Sequence, residues 1–214
     1  TAISFYLELM QKYGPPDADT LGYKENLDLF SQGKCAIWVD ATVAAGTLFN
    51  PKMSTVSDKV GYAAAPKEVT DKGSNWLWIW SLAIPISSKS YKDALDFIVW
   101  ASSKEYITEV TKKNDLISIP PGTRYSTYNN KNYHNKAPFS DFVFNEIITA
   151  TTQTATLKSS PYQEIQYVGI TEFPAIGNFL GKKISKVLSN EKNLIEALSE
   201  TQAFAEKQME QSNK

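Results

Sequence analysis

The side chains with most chemistry to offer sit in GSNWLWIWSLAIP, residues 73–85, where Trp76, Trp78 and Trp80 alternate with Leu77 and Ile79. Successive side chains of a strand face opposite ways, at a rise of about 3.3 Å per residue. Trp76 and Trp80 would then lie roughly 13 Å apart on one face, with Trp78 between them. Three indoles buried side by side need three N–H partners, which is costly in a dry interior. A water-filled cleft satisfies them more easily, because indole faces accept the C–H surface of a sugar ring while the N–H groups donate to its hydroxyls. The competing expectation is a bulky sheet core covered on both faces. In either case Leu77 and Ile79 are expected to pack under helices.

Other residues could complete such a wall. Asp40 ends the run CAIWV, where an ionised carboxylate would take two charge-assisted hydrogen bonds from hydroxyls. The same side chain could instead cap the following ATVAAG helix. Arg124, in PPGTR, is the one arginine among 22 lysines and arginines, and offers a rigid fork for vicinal hydroxyls or for a structural carboxylate. Phe173 follows Thr171 and Glu172 at a helix start, where unpaired N–H groups point outward. It would stack on a ligand or enter the core.

Catalysis finds less support. A glycoside hydrolase would need two carboxylates about 5 to 9.5 Å apart across a bond. Asp40 and Glu172 are the candidates, yet neither lies in a motif that sets one apart as the acid. His134, in KNYHNK, reads as a surface residue of a polar loop, and no phosphate-cradling glycine motif occurs. One cysteine and one histidine exclude a zinc site of those ligands. Cys35 reads as a small buried hydrophobe. No cofactor is expected, and an enzyme is the less favoured reading of these residues. A net charge of −1 gives no reason to expect nucleic acid. No run of about 18 apolar residues occurs, and residue 1 opens directly into helix-like text. The expectation is a fragment from which a targeting segment has been cut away.

The elements that must position these residues follow from periodicity and punctuation. SFYLELMQKYG is a helix stopped at Gly-Pro-Pro, and YKENLDLFSQG a second with Gly33 as C-cap. KCAIWVD, VGYAAAP and NWLWIWSLAIP read as strands, and ATVAAGTLF as a short helix. SYKDALDFIVWAS, SKEYITEVTKKN and PFSDFVFNEIITA are helical, with Ser103 and Tyr106 bracketing the start of the second. SSPYQEIQYVG reads as extended. ITEFPAIGNFLGKKISKVLS is a long helix, and EKNLIEALSETQAFAEKQMEQ a last surface helix with apolar positions at 194, 195, 198 and 204. The sum is α/β or α+β, helix-rich around a small central sheet.

GKCAIWVDATVAAG, VGYAAAP, GSNWLWIWSLAIPISSKSYKDALDFIVWASSKEY, IPPGTR and VGITEFPAIGNFLG together resemble the C-terminal half of the extracellular solute-binding proteins of bacterial ABC sugar importers. The wording looks most like the sorbitol/mannitol (polyol) branch. The resemblance implies an α/β, type II periplasmic-binding-protein-like two-lobe fold, with a small mixed sheet and ligand held in the cleft between lobes. It assigns 1–82 and 119–214 to the C-terminal lobe and 83–118 to the N-terminal lobe. It further implies a monomeric, extracytoplasmic protein, periplasmic or anchored as a cell-surface lipoprotein, that delivers a sugar or sugar alcohol to the importer's permease subunits. Site residues carried over are the turn from Asp40 to Val43, Trp76 and Trp78 on the strand before the hinge, Arg124 after the second crossing, and Phe173. A carbohydrate-binding module without a transport role is the other reading, with the hydrolase behind it.

Overall fold

The computed structural model describes residues 2–67, 77–119, 124–150 and 169–212, Ser118 by its backbone only. Trp76 and most of SSPYQEIQYVG lie outside the described residues, as do residues 120–123. Two compact units emerge: Thr1–Asn26 with Ile165–Lys214, and Leu27–Glu164.

The first unit is helical. α1 (Ala2–Tyr13) buries Leu7 and rests Ile3 on the same core. It stops at Gly14, where a Cβ would fall 2.5 Å from the Met10 carbonyl oxygen. α9 (Phe173–Leu188) enters through Pro174 in its first turn, where a missing N–H costs nothing. It ends in a left-handed turn at Asn190, φ 61°. The N–H groups of Asn190 and Glu191 donate back to the carbonyls of Val187 and Lys186, at 3.1 and 2.8 Å. These are the paired bonds of a Schellman cap. α10 (Leu194–Ser212) then returns along α9.

The inward face of α10 differs from the expected one. Ala197 and Thr201 are buried, and Phe204 stacks on Phe179 of α9 at 4.3 Å, while Ile195 is 82% exposed. Small side chains at 197 and 201 let the two helices approach closely, so the contact follows Leu194, Ala197, Thr201 and Phe204 instead of the bulkiest residues. Across this contact Glu200 pairs with Lys183 and Lys192.

The second unit gathers around Ile117, Ile119, Tyr128, Tyr133, Ala137, Phe139 and Val143. α2 (Tyr23–Ser31) leads into it and ends at Gly33, φ 72°, with Gly33 and Lys34 donating to Phe30 and Leu29. A turn of 3-10 helix, Thr42–Ala44, runs into α3 (Ala45–Leu48) as expected for ATVAAG. α4 (Tyr91–Ala101) and α5 (Lys104–Lys113) pack edge to face through Trp100 and Tyr106, and Ser103 Oγ accepts the Tyr106 N–H at 3.0 Å. Three short helices complete the core: α6 (Tyr125–Tyr128), α7 (Lys131–Lys136) and α8 (Ser140–Thr149). α4 contributes no buried residue, and its Phe97 and Val99 are exposed.

No paired strand occurs among the described residues. Among the described residues KCAIWVD, VGYAAAP and 77–85 run without any ladder. A strand exists only beside a neighbour about 4.8 Å away that satisfies its N–H and C=O groups. β-rich text alone does not supply one. VGYAAAP is held instead by Tyr62, whose ring contacts Phe49 and Phe142 and whose hydroxyl donates to the Pro138 carbonyl at 2.7 Å.

Candidate functional site

Asp40 and Val43 share one turn, and that turn is well anchored. Ala44 and Leu48 are buried beneath it. Gly46 allows α3 to approach the 3-10 turn Leu116–Ser118, since a Cβ there would stand 3.0 Å from the Ile117 carbonyl. Asp40 is exposed, and its Oδ1 accepts the Ala41 N–H at 2.6 Å. It does not cap the second or third N–H of a helix, as the capping expectation required; neither Thr42–Ala44 nor α3 has a side-chain cap. A carboxylate has about four acceptor positions, so the bond to Ala41 leaves capacity for hydroxyls. Val43 is 53% exposed on the same turn.

Trp78 and Trp80 meet edge to face at 5.5 Å, and both are open to solvent. The alternation of burial expected across this segment is absent. Leu77 and Ile79 are exposed as well. Among the described residues no strand pairs with this segment, and the expected packing of Leu77 and Ile79 under helices is not found.

Arg124 is engaged. Its Nε donates to the Ser102 carbonyl at 2.9 Å, and Nη2 donates to the same oxygen. It thereby fastens the start of α6 to the corner between α4 and α5. The nearby guanidinium adds a smaller downward pull on Glu105, whose carboxyl is lowered chiefly by its own backbone and by Ser103.

Phe173, in the first unit, is the first residue of α9 and is half-buried. Its ring edge lies where a Cβ on Gly177, one turn along, would reach it at 4.0 Å. Glu172 precedes it and is held below the ordinary carboxylate value by a hydrogen bond with Ser212 and by its backbone. A glycosidic general acid needs the opposite, a raised value.

One polar centre went unread in the sequence. His134 does not lie on a polar surface loop; it stands on α7, half-buried. Its Nε2 meets the Tyr128 carbonyl, and its Nδ1 lies 3.1 Å from Asp141 Oδ1 and 3.2 Å from Ser140 Oγ. The signal was present in the neighbours: Tyr133 and Ala137, four residues apart, are fully buried and draw the short helix inward. Cys35 is half-buried, less than its apolar run suggested. Among the described residues no group of three acidic, His or Cys side chains could hold a metal ion.

Known proteins align with nearly all of this chain. A mannitol-binding protein of Pseudomonas aeruginosa is 42% identical over 211 residues, which are 99% of this chain and 48% of that protein. The crystal structure of an ABC transporter solute-binding protein from Agrobacterium vitis S4 with bound D-mannitol matches with a TM-score of 0.92 and 44% identity. That match covers 98% of this chain and 50% of the other. The chain thus spans about half the length of each relative. Its periplasmic-binding-protein-like fold follows from the structural match. Residues 1–108 match the bacterial extracellular solute-binding proteins, and the chain belongs to that family, which binds solutes and is not a family of enzymes.

Proposed function

We propose that this chain is part of the solute-binding component of an ABC importer and that the captured ligand is a sugar alcohol of the D-mannitol type. The observation that carries the reading is the 0.92 TM-score, at 44% identity, to a solute-binding protein with D-mannitol bound. The exposed indoles of Trp78 and Trp80, with an exposed carboxylate at Asp40, suit a ligand that is apolar along its carbons and polar at its hydroxyls. Asp40, Val43, Trp76, Trp78, Arg124 and Phe173 are the proposed contacts. Arg124 would reach the ligand with the part of its fork not committed to Ser102.

In this reading residues 83–118 belong to one lobe, and 1–82 with 119–214 to the other. The bare apolar side chains of α4 are then the face that packs within its own lobe. KCAIWVD, VGYAAAP and the indole segment are strands of a small mixed sheet, completed by partner strands from the rest of a protein of the relatives' length. The protein works as an extracytoplasmic monomer and hands its ligand to the permease subunits. Among the described residues no helix is long and apolar enough to cross a membrane.

Calorimetry and thermal melting of the protein at its relatives' full length, against D-mannitol, D-glucitol, hexoses and maltose, test the proposal. A hexitol should raise Tm and bind more tightly than the hexoses, because a ligand held only by the native state stabilises it. Scattering should report a smaller radius with ligand. Preference for a disaccharide, or binding without any compaction, would sink the polyol reading or the two-lobe reading respectively.

A further inference from the structure

Arg124 makes a bond that crosses the boundary drawn above between residues 83–118 and 119–214. Ser102 closes α4: its N–H donates to the Ile98 carbonyl at 3.0 Å, and its own carbonyl lies past the last turn, where a helix leaves C=O groups without intrahelical donors. The N–H four residues on, that of Tyr106, is taken by Ser103 Oγ at 3.0 Å. Two donors come instead from 22 residues along the chain, Arg124 Nε at 2.9 Å and Nη2 of the same guanidinium. The C-terminal end of a helix carries partial negative charge, which a fixed cation offsets. Half-buried at the start of α6, Arg124 thus caps α4 from the far side of the boundary.

α4 buries no residue of its own. Its packing runs through α5, where Trp100 meets Tyr106 edge to face at 5.0 Å and Ile107 rests on the core. A hydrogen bond keeps its strength over a donor–acceptor range of only about half an ångström. A swing of 83–118 against 119–214 therefore breaks the Arg124 bond unless this corner is itself the pivot. The solved structure that the chain matches with a TM-score of 0.92 holds D-mannitol, so the made bond is assigned to the ligand-bound arrangement.

We propose that Arg124 is a closure strap: its doubled bond to the Ser102 carbonyl forms as the lobes close on ligand, stabilises the closed form and slows ligand release. The strap rests on the lobe assignment given above. Ligand enters the open form, in which the strap is unmade, so entry is indifferent to it. Release needs the strap to part first. A contact between the uncommitted part of the fork and the ligand acts on one hydroxyl, whereas the strap acts on whatever ligand the closed lobes hold. Lysine places a point charge where arginine has a planar fork, so it should make half of the strap.

The test uses the protein at its relatives' full length, as wild type, Arg124→Lys and Arg124→Ala, with D-mannitol, D-glucitol and singly deoxygenated hexitols. Stopped-flow fluorescence should show D-mannitol leaving about tenfold faster from Arg124→Ala, the scale of a charge-assisted bond lost at a half-open site. Arg124→Lys should fall between, and association should be equally fast in all three. Arg124→Lys, which keeps a cation at the end of α4, carries the comparison if Arg124→Ala does not fold. Spin labels at Asp93→Cys and Lys131→Cys, both exposed positions, in a Cys35→Ala background report the distance between the lobes. At equal ligand occupancy the variants' distances should spread toward those of the ligand-free protein. Release rates equal to wild type, or distances that coincide with it at equal occupancy, overturn the strap. So does a variant effect that vanishes for one deoxyhexitol and persists for the others, which belongs to a direct ligand contact alone. Mannitol binding with no change in the distance between labels overturns the lobe assignment and the strap with it. Closure on a hexose but on no hexitol sinks only the polyol reading, and release rates measured with that hexose then decide the strap.

Discussion

Trp78 carries the clearest consequence at the scale of single residues. It is about half exposed, so Trp78→Ala should leave Tm within a degree or so of wild type, whereas loss of a stacking contact should weaken D-mannitol binding by about 1–3 kcal/mol. Calorimetry at the relatives' full length reads both sides of that comparison; unchanged affinity removes this indole from the cleft. Tyr133 makes the contrasting case. It is fully buried, burial and the neighbouring Tyr128 push its hydroxyl up to about 12, and its oxygen has no hydrogen-bond partner among the described residues. Tyr133→Phe removes a desolvated hydroxyl and leaves the ring packing intact, so unfolding by urea should find the variant equal to wild type or more stable by about 1 kcal/mol. The indoles, Asp40 and Arg124 were legible as candidates because their chemistry is intrinsic to their type. The contacts they actually make were not. Arg124 takes a backbone carbonyl as partner, which leaves no trace in side-chain chemistry, and His134 takes its contacts from two helices other than its own.

Elements were legible wherever neighbouring residues suffice to determine them. Gly33 ends α2 because a left-handed residue is needed there, and Ser103 starts α5 because its hydroxyl reaches the Tyr106 N–H. Both are local facts. Gly33→Ala should destabilise by about 1 kcal/mol, from φ 72° and from a Cβ pressed to 3.0 Å from Val56 Cγ1. Ser103→Ala should cost a similar ~1 kcal/mol through the lost cap. Chemical denaturation of the two variants checks these values, and a neutral Gly33→Ala would mean that the turn relaxes. The strands have no partner among the described residues for the complementary reason: alternation can nominate a segment, but pairing is decided by a partner far away in the chain. α10 lies between these cases. Its helicity is local, while its buried face is chosen by what α9 can admit, and Ala197 and Thr201 fit where Ile195 and Leu198 do not.

Among the described residues the carboxyl drawn down furthest lies between α9 and α10. Lys183 first and Lys192 second pull the Glu200 carboxyl from its ordinary 4.5 down to about 2. Lys192 is raised in turn by Glu196 and Glu200. A depressed carboxylate stabilises the native state fully above its unfolded value and loses that contribution as pH falls through the folded one. The Tm difference between wild type and Glu200→Gln should therefore be constant above about pH 5 and shrink steadily toward pH 2. A gap independent of pH would assign the stabilisation to packing of the glutamate stem instead.

The division of the first unit into two stretches of chain also orders its assembly. Gln11 reaches Val187 across 176 residues and Ser185 reaches Asp19 across 166, whereas α9 and α10 meet through a five-residue turn fixed at Asn190. Contacts close in sequence form early and distant ones must await closure of the intervening loop. The C-terminal hairpin can thus arise by itself during refolding, and α1 docks late, after Leu27–Glu164 has collapsed. A protease cut within that middle stretch would consequently loosen α1 from the α9 face it packs on.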